Sequence, residues 1–386
     1  MAGLGPFVPE QPGLPVGVAV SGGADSVCLA LLTRRWRRAV IGFVVDHGLR
    51  AGARGEAELT CARLEAMGVE ARLLSLRGLP VGSRLQERAR QARYEVLERA
   101  AVAAGCVDLL VGHHERDQVE TGLIRERAGT GARGLACMAS VREDAGLRIV
   151  RPLLGVAPER LRARLRAEGV EWVDDPSNEN RRFERVRFRQ DARGEDEAVL
   201  TRVRGAGVAR VRSDREEARV LAAGVSGQPG GWFLLPEAGV GAGVLAGLIQ
   251  CVTGASYRVA EARLEAFCRA PHAMTIGGAC LVRAGRFGAG WILARESAAV
   301  QGAVAAEVGT VWDGRFVVRA SGGLDLRGAV IAPLAGAGAE GFPAVVRKGL
   351  PGVWRNGVLL AAFGDEYDCL ALFLRHAGSS ASRWGN

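Results

Sequence analysis

The sequence predicts an α/β protein: a parallel sheet with helices on both faces, followed by a smaller region of mixed character. Three observations carry this. Through the first half, short β-branched runs alternate with longer segments of helical spacing, the pattern of repeated strand–helix units. The strand-like runs are almost continuously apolar, as expected of strands covered on both sides. After about Gln190 the alternation stops, and from Gly224 the chain becomes rich in Gly, Ala and Val.

Taken in order, strands are expected at residues 16–20, 40–45, 71–76, 107–112 and 147–150. Helices are expected between them at 25–33, 55–67, 85–104 and 116–127. Another follows at 158–168, where Pro158 suits a first helical turn. Residues 191–217 are charged and helical in character. Further on, 244–252 and 260–269 read as helices, 275–283, 291–296, 316–320 and 357–362 as short strands, and 332–342 as a loop. The organisation predicted is a catalytic domain over 1–192, a helical or mixed region over 193–300 and a small domain over 301–386.

Composition bounds the partners. The 386 residues carry a net charge of +9, with Lys plus Arg at 51 and Lys348 the one lysine, so the positive charge is nearly all arginine. A basic balance favours polyanions and makes binding salt-sensitive. None of the eight cysteines forms a C-x-x-C pair, which argues against zinc-ribbon and iron–sulfur sites. No apolar run is long enough to span a bilayer and no basic leader precedes one, so a reduced, cytoplasmic protein is expected.

In parallel sheets ligands sit at the carboxyl ends of strands. Three polar clusters fall there. The first, Ser21-Gly22-Gly23-Ala24-Asp25-Ser26, lies where a strand bends into a helix. Glycines allow close backbone approach, and successive N–H groups at a helix N-terminus form a nest for phosphate. Asp25 would repel phosphate unless a cation lay between, which points to Mg²⁺. The second, Asp46-His47-Gly48-Leu49-Arg50, could frame a base or an anion, or simply cap a strand. The third holds His113, His114, Asp117, Glu120 and Thr121; the last two share a helix face with Asp117. That face could hold Mg²⁺ or an ammonium, or be solvated. Beyond these, Arg133 lies in a Gly-rich run, and Arg185, Arg187 and Arg189 are interleaved with aromatics in a stretch suited to phosphate contacts.

In order, the chain carries SGGADS, VDHGLR, LQERARQARY, HHERDQVET, GTGARGLACM, RPLL, and WVDDPSN followed by RVRFR. Together these resemble the bacterial tRNA(Ile)-lysidine synthetases, members of the N-type ATP pyrophosphatase (PP-loop) superfamily with an adenine nucleotide alpha hydrolase-like fold. The resemblance covers roughly residues 16–190 and continues weakly at 274–280 and 311–316. It implies a two-step reaction. ATP adenylates the C2 oxygen of the wobble cytidine in a tRNA(Ile) with a CAU anticodon, and the ε-amine of L-lysine then displaces AMP. It also implies site roles. Ser21, Gly22, Gly23, Ala24 and Ser26 hold ATP with Asp46 and His47, and Asp25 holds Mg²⁺. Asp117 and Glu120 bind the lysine amine or the metal, and His114 is a candidate base. Arg133, Arg185, Arg187 and Arg189 meet RNA phosphate.

One position departs from the family pattern. Arg116 stands where an acid is usual, and a pairing with Glu120 four residues on would disturb the cation site. Rival readings are a 2-thiolating PP-loop enzyme, a non-catalytic tRNA-binding relative, and a ligase acting on a free nucleotide.

Overall fold

The computed structural model describes residues 1, 3–11, 13–46, 48, 52–76, 85–144, 147–173, 196–255, 257–319, 323–335, 339, 341–364 and 370–372. The chain divides into two compact units, Met1–Arg212 and Ser213–Ser380.

The first unit is built on strands β1 (Val16–Val20), β2 (Val40–Asp46), β3 (Glu70–Ser75), β4 (Asp108–Val111), β5 (Val141–Asp144) and β6 (Leu147–Val150). Their order in the sheet is β3-β2-β1-β4-β6-β5. The connecting helices are α1 (Ala24–Trp36), α2 (Ala53–Ala66), α3 (Leu85–Ala103), α4 (Glu115–Arg127), α5 (Ala132–Leu135) and α6 (Pro158–Ala167). Alternate strand residues serve opposite faces. Val18, Val20, Val44, Leu110 and Val150 pack with Leu29 of α1, Leu64 of α2 and Leu165 of α6. Ile41, Phe43 and Leu109 pack the other way, against Leu97 and Ala101 of α3. This explains the apolar runs of β1, β2 and β4, where nearly every position is a core position. Fully burying each such side chain contributes about 1.5–3 kcal/mol.

β1 to β4 and β6 run parallel, as expected, but β5 pairs antiparallel with β6. The sequence reading placed no strand at β5. Its Val-Arg-Glu-Asp composition lacks the apolar signal of an inner strand because it forms the sheet edge, where charged side chains are tolerated and protective. The chain leaves β1 toward β2 on one side and later enters β4 on the other. The switch point therefore lies between β1 and β4, where such sheets open a crevice.

Helix α7 (Asp196–Gly224) contains the division between the units. Among its described residues, the second unit holds three antiparallel sheets. The first joins β7 (Ser226–Gln228), β8 (Trp232–Leu235), β11 (Trp291–Arg295), β10 (Ala279–Arg283) and β9 (Met274–Ile276). The second joins β12 (Val304–Ala305), β15 (Val330–Pro333), β16 (Pro351–Arg355) and β17 (Val358–Ala362). The third joins β13 (Val311–Trp312), β14 (Phe316–Val318) and β18 (Leu370–Leu372). Helix α8 (Ala242–Thr253) covers the first sheet through Leu245, Ile249 and Val252 against Leu281, Trp291 and Leu293. Two expectations need correction here. Residues 275–283 are not one strand: Gly277 and Gly278, with φ of +60° and +82°, turn the chain back between β9 and β10. The loop expected at 332–342 begins inside β15, where Ala332 pairs with Gly352.

Among the described residues, no helix is long and apolar enough to cross a membrane.

Candidate active site

The site begins at the bend from β1 into α1. Gly22 has φ of +86°, a conformation that suits glycine. A Cβ there would also lie 2.6 Å from Thr60 Oγ1 of α2, a hydroxyl that itself donates to the Glu56 carbonyl. Ser26 braces the bend from within. Its hydroxyl accepts from the Ser21 N–H at 3.1 Å and donates to the Gly23 carbonyl at 2.9 Å. Gly23 is the N-cap of α1 and supplies no side-chain cap, so the first turn presents backbone N–H groups. The Val173 N–H donates to the Gly22 carbonyl at 2.9 Å, which ties the Trp172-Val173 segment to the bend.

β4 delivers the second wall. A Cβ on Gly112 would lie 3.1 Å from both Cα and N of Ser26, so glycine here lets the strand end pass close to the start of α1 without displacing it. The chain then turns through His114 into α4. His114 is buried between two carboxylates. Its Nε2 lies 3.4 Å from Asp25 Oδ2 and its Nδ1 3.5 Å from Asp117 Oδ2. Asp117 is fixed in turn by the His114 backbone N–H, which donates to its Oδ2 at 2.9 Å. Glu120, one turn further along α4, is also buried and acts on the imidazole electrostatically. Burial alone would lower the His114 pKa, but the bond to Asp25 and the charges of Asp117, Asp25 and Glu120 outweigh it and raise it. Asp25 Oδ1 is sealed from solvent and has no hydrogen-bond partner.

The Gly-rich run after α4 folds as the short helix α5, which carries a half-buried Arg133, and is pinned in several places. Gln118 of α4 donates to the Met138 carbonyl at 3.0 Å and accepts from its N–H at 2.9 Å. Arg125 donates to the Gly134 carbonyl at 2.6 Å, and Arg210 of α7 to the Cys137 carbonyl at 3.0 Å. α7 also packs Val199 and Val203 onto α4 at Gly122, where a Cβ would come within 2.9 Å of Val199 Cγ1.

Of the residues picked from sequence, Asp25, His114, Asp117 and Glu120 come together beside the bend at residues 21–26. Asp46 ends β2 and accepts from the Gly48 N–H at 3.0 Å. His47, Arg185, Arg187, Arg189 and the DDPSN run lie outside the described residues. Arg116 does not pair with Glu120. Its guanidinium reaches Glu159 of α6 at 3.4 Å on the exposed side, while Glu120 faces inward. Sequence reasoning missed Gly112, Thr60, Gln118 and Arg210. Gly112 and Gln118 stand inside or beside the histidine motif and had a signal. Thr60 and Arg210 had none, since nothing local marks the residue they touch. Burial pushes the Cys28 and Cys106 thiols up to about 11, as for small core side chains rather than nucleophiles.

Comparison with known proteins agrees with this architecture. Residues 5–193 match the PP-loop domain family. A tRNA(Ile)-lysidine synthase from Ruegeria pomeroyi is 33% identical over 381 residues, covering 91% of this chain and 89% of the relative. Another, from Hyphomonas neptunium, is 43% identical over 199 residues; there the match covers 49% of this chain and 53% of the relative. A solved U34-tRNA thiolase from Methanococcus maripaludis is similar over 53% of this chain and 73% of its own, with a TM-score of 0.41 and 17% identity. With a PP-loop domain at its front and a relative matched along nine-tenths of its length, the chain belongs to the tRNA(Ile)-lysidine synthase family.

Proposed function

We propose that this chain joins L-lysine to C2 of the wobble cytidine of a CAU-anticodon tRNA(Ile), using ATP, in the cytoplasm. The observation that carries the reading is the convergence of Asp25, His114 and Asp117 on the uncapped start of α1. The cytidine C2 oxygen attacks the α-phosphorus of ATP, an O–P bond forms, and pyrophosphate leaves. The N–H groups of the bend and of the first turn of α1 would hold the departing phosphates, helped by the helix dipole. Mg²⁺ fits here: Asp25 offers a buried oxygen without a partner, and a bound Mg²⁺ would neutralise charge on the pyrophosphate. Among the described residues no three His, Cys, Asp or Glu side chains form a metal cage, which suits a cation shared with substrate oxygens.

The second step needs a neutral amine. Free lysine is an ammonium at neutral pH, with a pKa of about 10.4. Asp117 and Glu120 would bind it, and the proton would pass to this cluster before attack. His114, whose ring nitrogens face Asp25 and Asp117, is a candidate base beside Asp117 and Glu120. The amine nitrogen then bonds to C2, the C2–O bond breaks, and AMP carries off that oxygen. Arg133, Arg185, Arg187 and Arg189 would meet RNA phosphates, and the second unit would grip the body of the tRNA.

The test is incubation with labelled lysine, ATP and a CAU-anticodon tRNA(Ile) transcript. Label in the RNA, matched by AMP, is the expected result. Sulfur incorporation, AMP formation without tRNA, or RNA binding without label would each overturn it in favour of a rival. Asp117→Asn should lower turnover about tenfold or more, equivalent to about 1.4 kcal/mol; near-normal turnover would remove its role.

A further inference from the structure

Helix α6 carries a basic face that the site above does not use. Pro158, Leu161 and Leu165 bury its inner stripe in the core shared with α1. Residues four apart stand on one side of a helix, so its arginines form two rows. Arg160 and Arg164 make one row, Arg162 and Arg166 the other, with exposed Ala163 and Ala167 between them. Arg160, Arg164 and Arg166 are exposed and Arg162 is half-buried. Like charges at this spacing weaken a helix slightly. Arg160 also stands in the first turn, the end at which the helix dipole disfavours a cation.

The acids of the helix and its C-cap are engaged. Glu168 pairs with Arg164 at 2.9 Å and with Arg35 of α1 at 2.5 Å. Glu159 pairs with Arg116 of α4 at 3.4 Å. Arg116, the residue that departs from the family pattern, thereby offsets the acid of the first turn. An acid there would set a second negative charge beside Glu159. The guanidinium groups of Arg160 and Arg162 make no ion pair or hydrogen bond among the described residues. Each row therefore keeps an uncompensated cation.

Position names the anion. The Glu115 N–H, at the start of α4, donates at 3.2 Å to the carbonyl of Val156, just ahead of α6. The basic face thus begins at the mouth of the site, at the ligand end of the sheet. It runs down the flank for about 15 Å, at about 1.5 Å per residue. A nucleotide held for modification carries its neighbouring phosphodiesters over the rim of that mouth. Guanidinium forks match phosphate oxygens in charge and geometry. We propose that the outer line of α6, between its two arginine rows, is a track for the RNA backbone next to the modified nucleotide, with Arg160 and Arg162 as its phosphate contacts. This rests on the RNA-modifying reading above.

The experiment compares the full chain with Arg160→Gln, Arg162→Gln, Glu159→Gln and a control, Arg99→Gln. Arg99 is exposed on α3, across the sheet from α6, and its loss changes net charge by the same amount. Affinity is measured across a salt series for the full-length tRNA and for a hairpin of its anticodon stem and loop. ATP and lysine KM are followed alongside, and thermal unfolding checks that each variant is folded. Arg160→Gln and Arg162→Gln should each weaken both RNAs about three- to tenfold and flatten the slope of log K against log salt by about 0.7–0.9, the loss of one phosphate contact. Glu159→Gln should tighten both, and neither KM should move. An equal loss in Arg99→Gln would mean that net charge alone acts, and would overturn the track. Weaker binding of full-length tRNA with the hairpin unaffected would place the contacts elsewhere on the RNA, which overturns it as well. Affinities within twofold in every variant would remove the track and leave the proposed function standing. If the unmodified chain bound no tRNA, the proposed function itself would fail.

Discussion

Two aspartates, one in each unit, are bonded in opposite ways. Asp313, in the second unit, is buried and completely engaged. Its Oδ1 accepts from Arg295 Nη2 and from the Gln301 N–H, each at 3.0 Å. Its Oδ2 accepts from Arg295 Nε at 3.0 Å and Arg315 Nε at 2.8 Å. Arg315 continues to the Gly349 carbonyl at 2.8 Å. Asp25, in the first unit, sits beside His114 with one oxygen sealed and unpartnered. The first arrangement needs nothing more. The second keeps a strong acceptor unsatisfied beside uncapped N–H groups, a cost that folding alone would not select. Asp313 is thus closed by its own bonding, whereas half-buried Asp25 keeps one oxygen open in the way the proposed cation site requires.

The contrast can be broken most severely at Asp313. Asp313→Ala strands the buried Arg315 and the half-buried Arg295 and should cost about 3–5 kcal/mol, read as a large drop in unfolding midpoint. A small drop would mean that the network is not structural. Next is Asp25→Asn, which should lower turnover about a hundredfold or more, about 2.7 kcal/mol of activation free energy, while the unfolding midpoint barely moves. Parallel loss of stability and activity would erase the distinction between the two aspartates. Smaller still is Gly22→Ala, where the positive φ alone should cost about 1–2 kcal/mol. Pairing it with Thr60→Ala removes the 2.6 Å clash but not the backbone strain, so part of the lost ATP affinity should return.

The smallest effect is on pH dependence. The folded-state pKa of His114 is raised, so its contribution to stability is fully present below the unfolded value of about 6.5. It is lost as pH rises through the higher folded value. His114→Asn should abolish that segment of the stability–pH curve, followed by denaturant melts of the unliganded chain. An unchanged curve would mean that the carboxylates do not hold the proton.

The first unit was legible because its strands are apolar and separated by periodic helices, and because its candidate ligand groups sit where strands end. Asp25 and His114 could be placed at neighbouring strand ends without knowing any distance. Gly112 eases the close approach of the two strand ends, which no sequence pattern reveals. Arg116 was misjudged because helical spacing permits a bond to Glu120, whereas α6 supplies Glu159 on the outer side and Glu120 is turned into the core. Arg210 was invisible, since its bond spans 73 residues. In the second unit the signals are weak. β12 is two residues long, and the β-rich run through Gly277-Gly278 masks a reversal.

Helix α7 holds α4 by two kinds of bond, and they respond differently to ionic strength. At the rim, Arg202 pairs with Glu126 at 2.7 Å and Arg204 with Glu115 at 3.0 Å, both exposed enough to be screened. Beneath them, Val199 and Val203 close on Gly122, a dry seam that electrolyte does not weaken. Concentrated electrolyte should therefore loosen the outer edge where these two helices meet while leaving their inner seam closed.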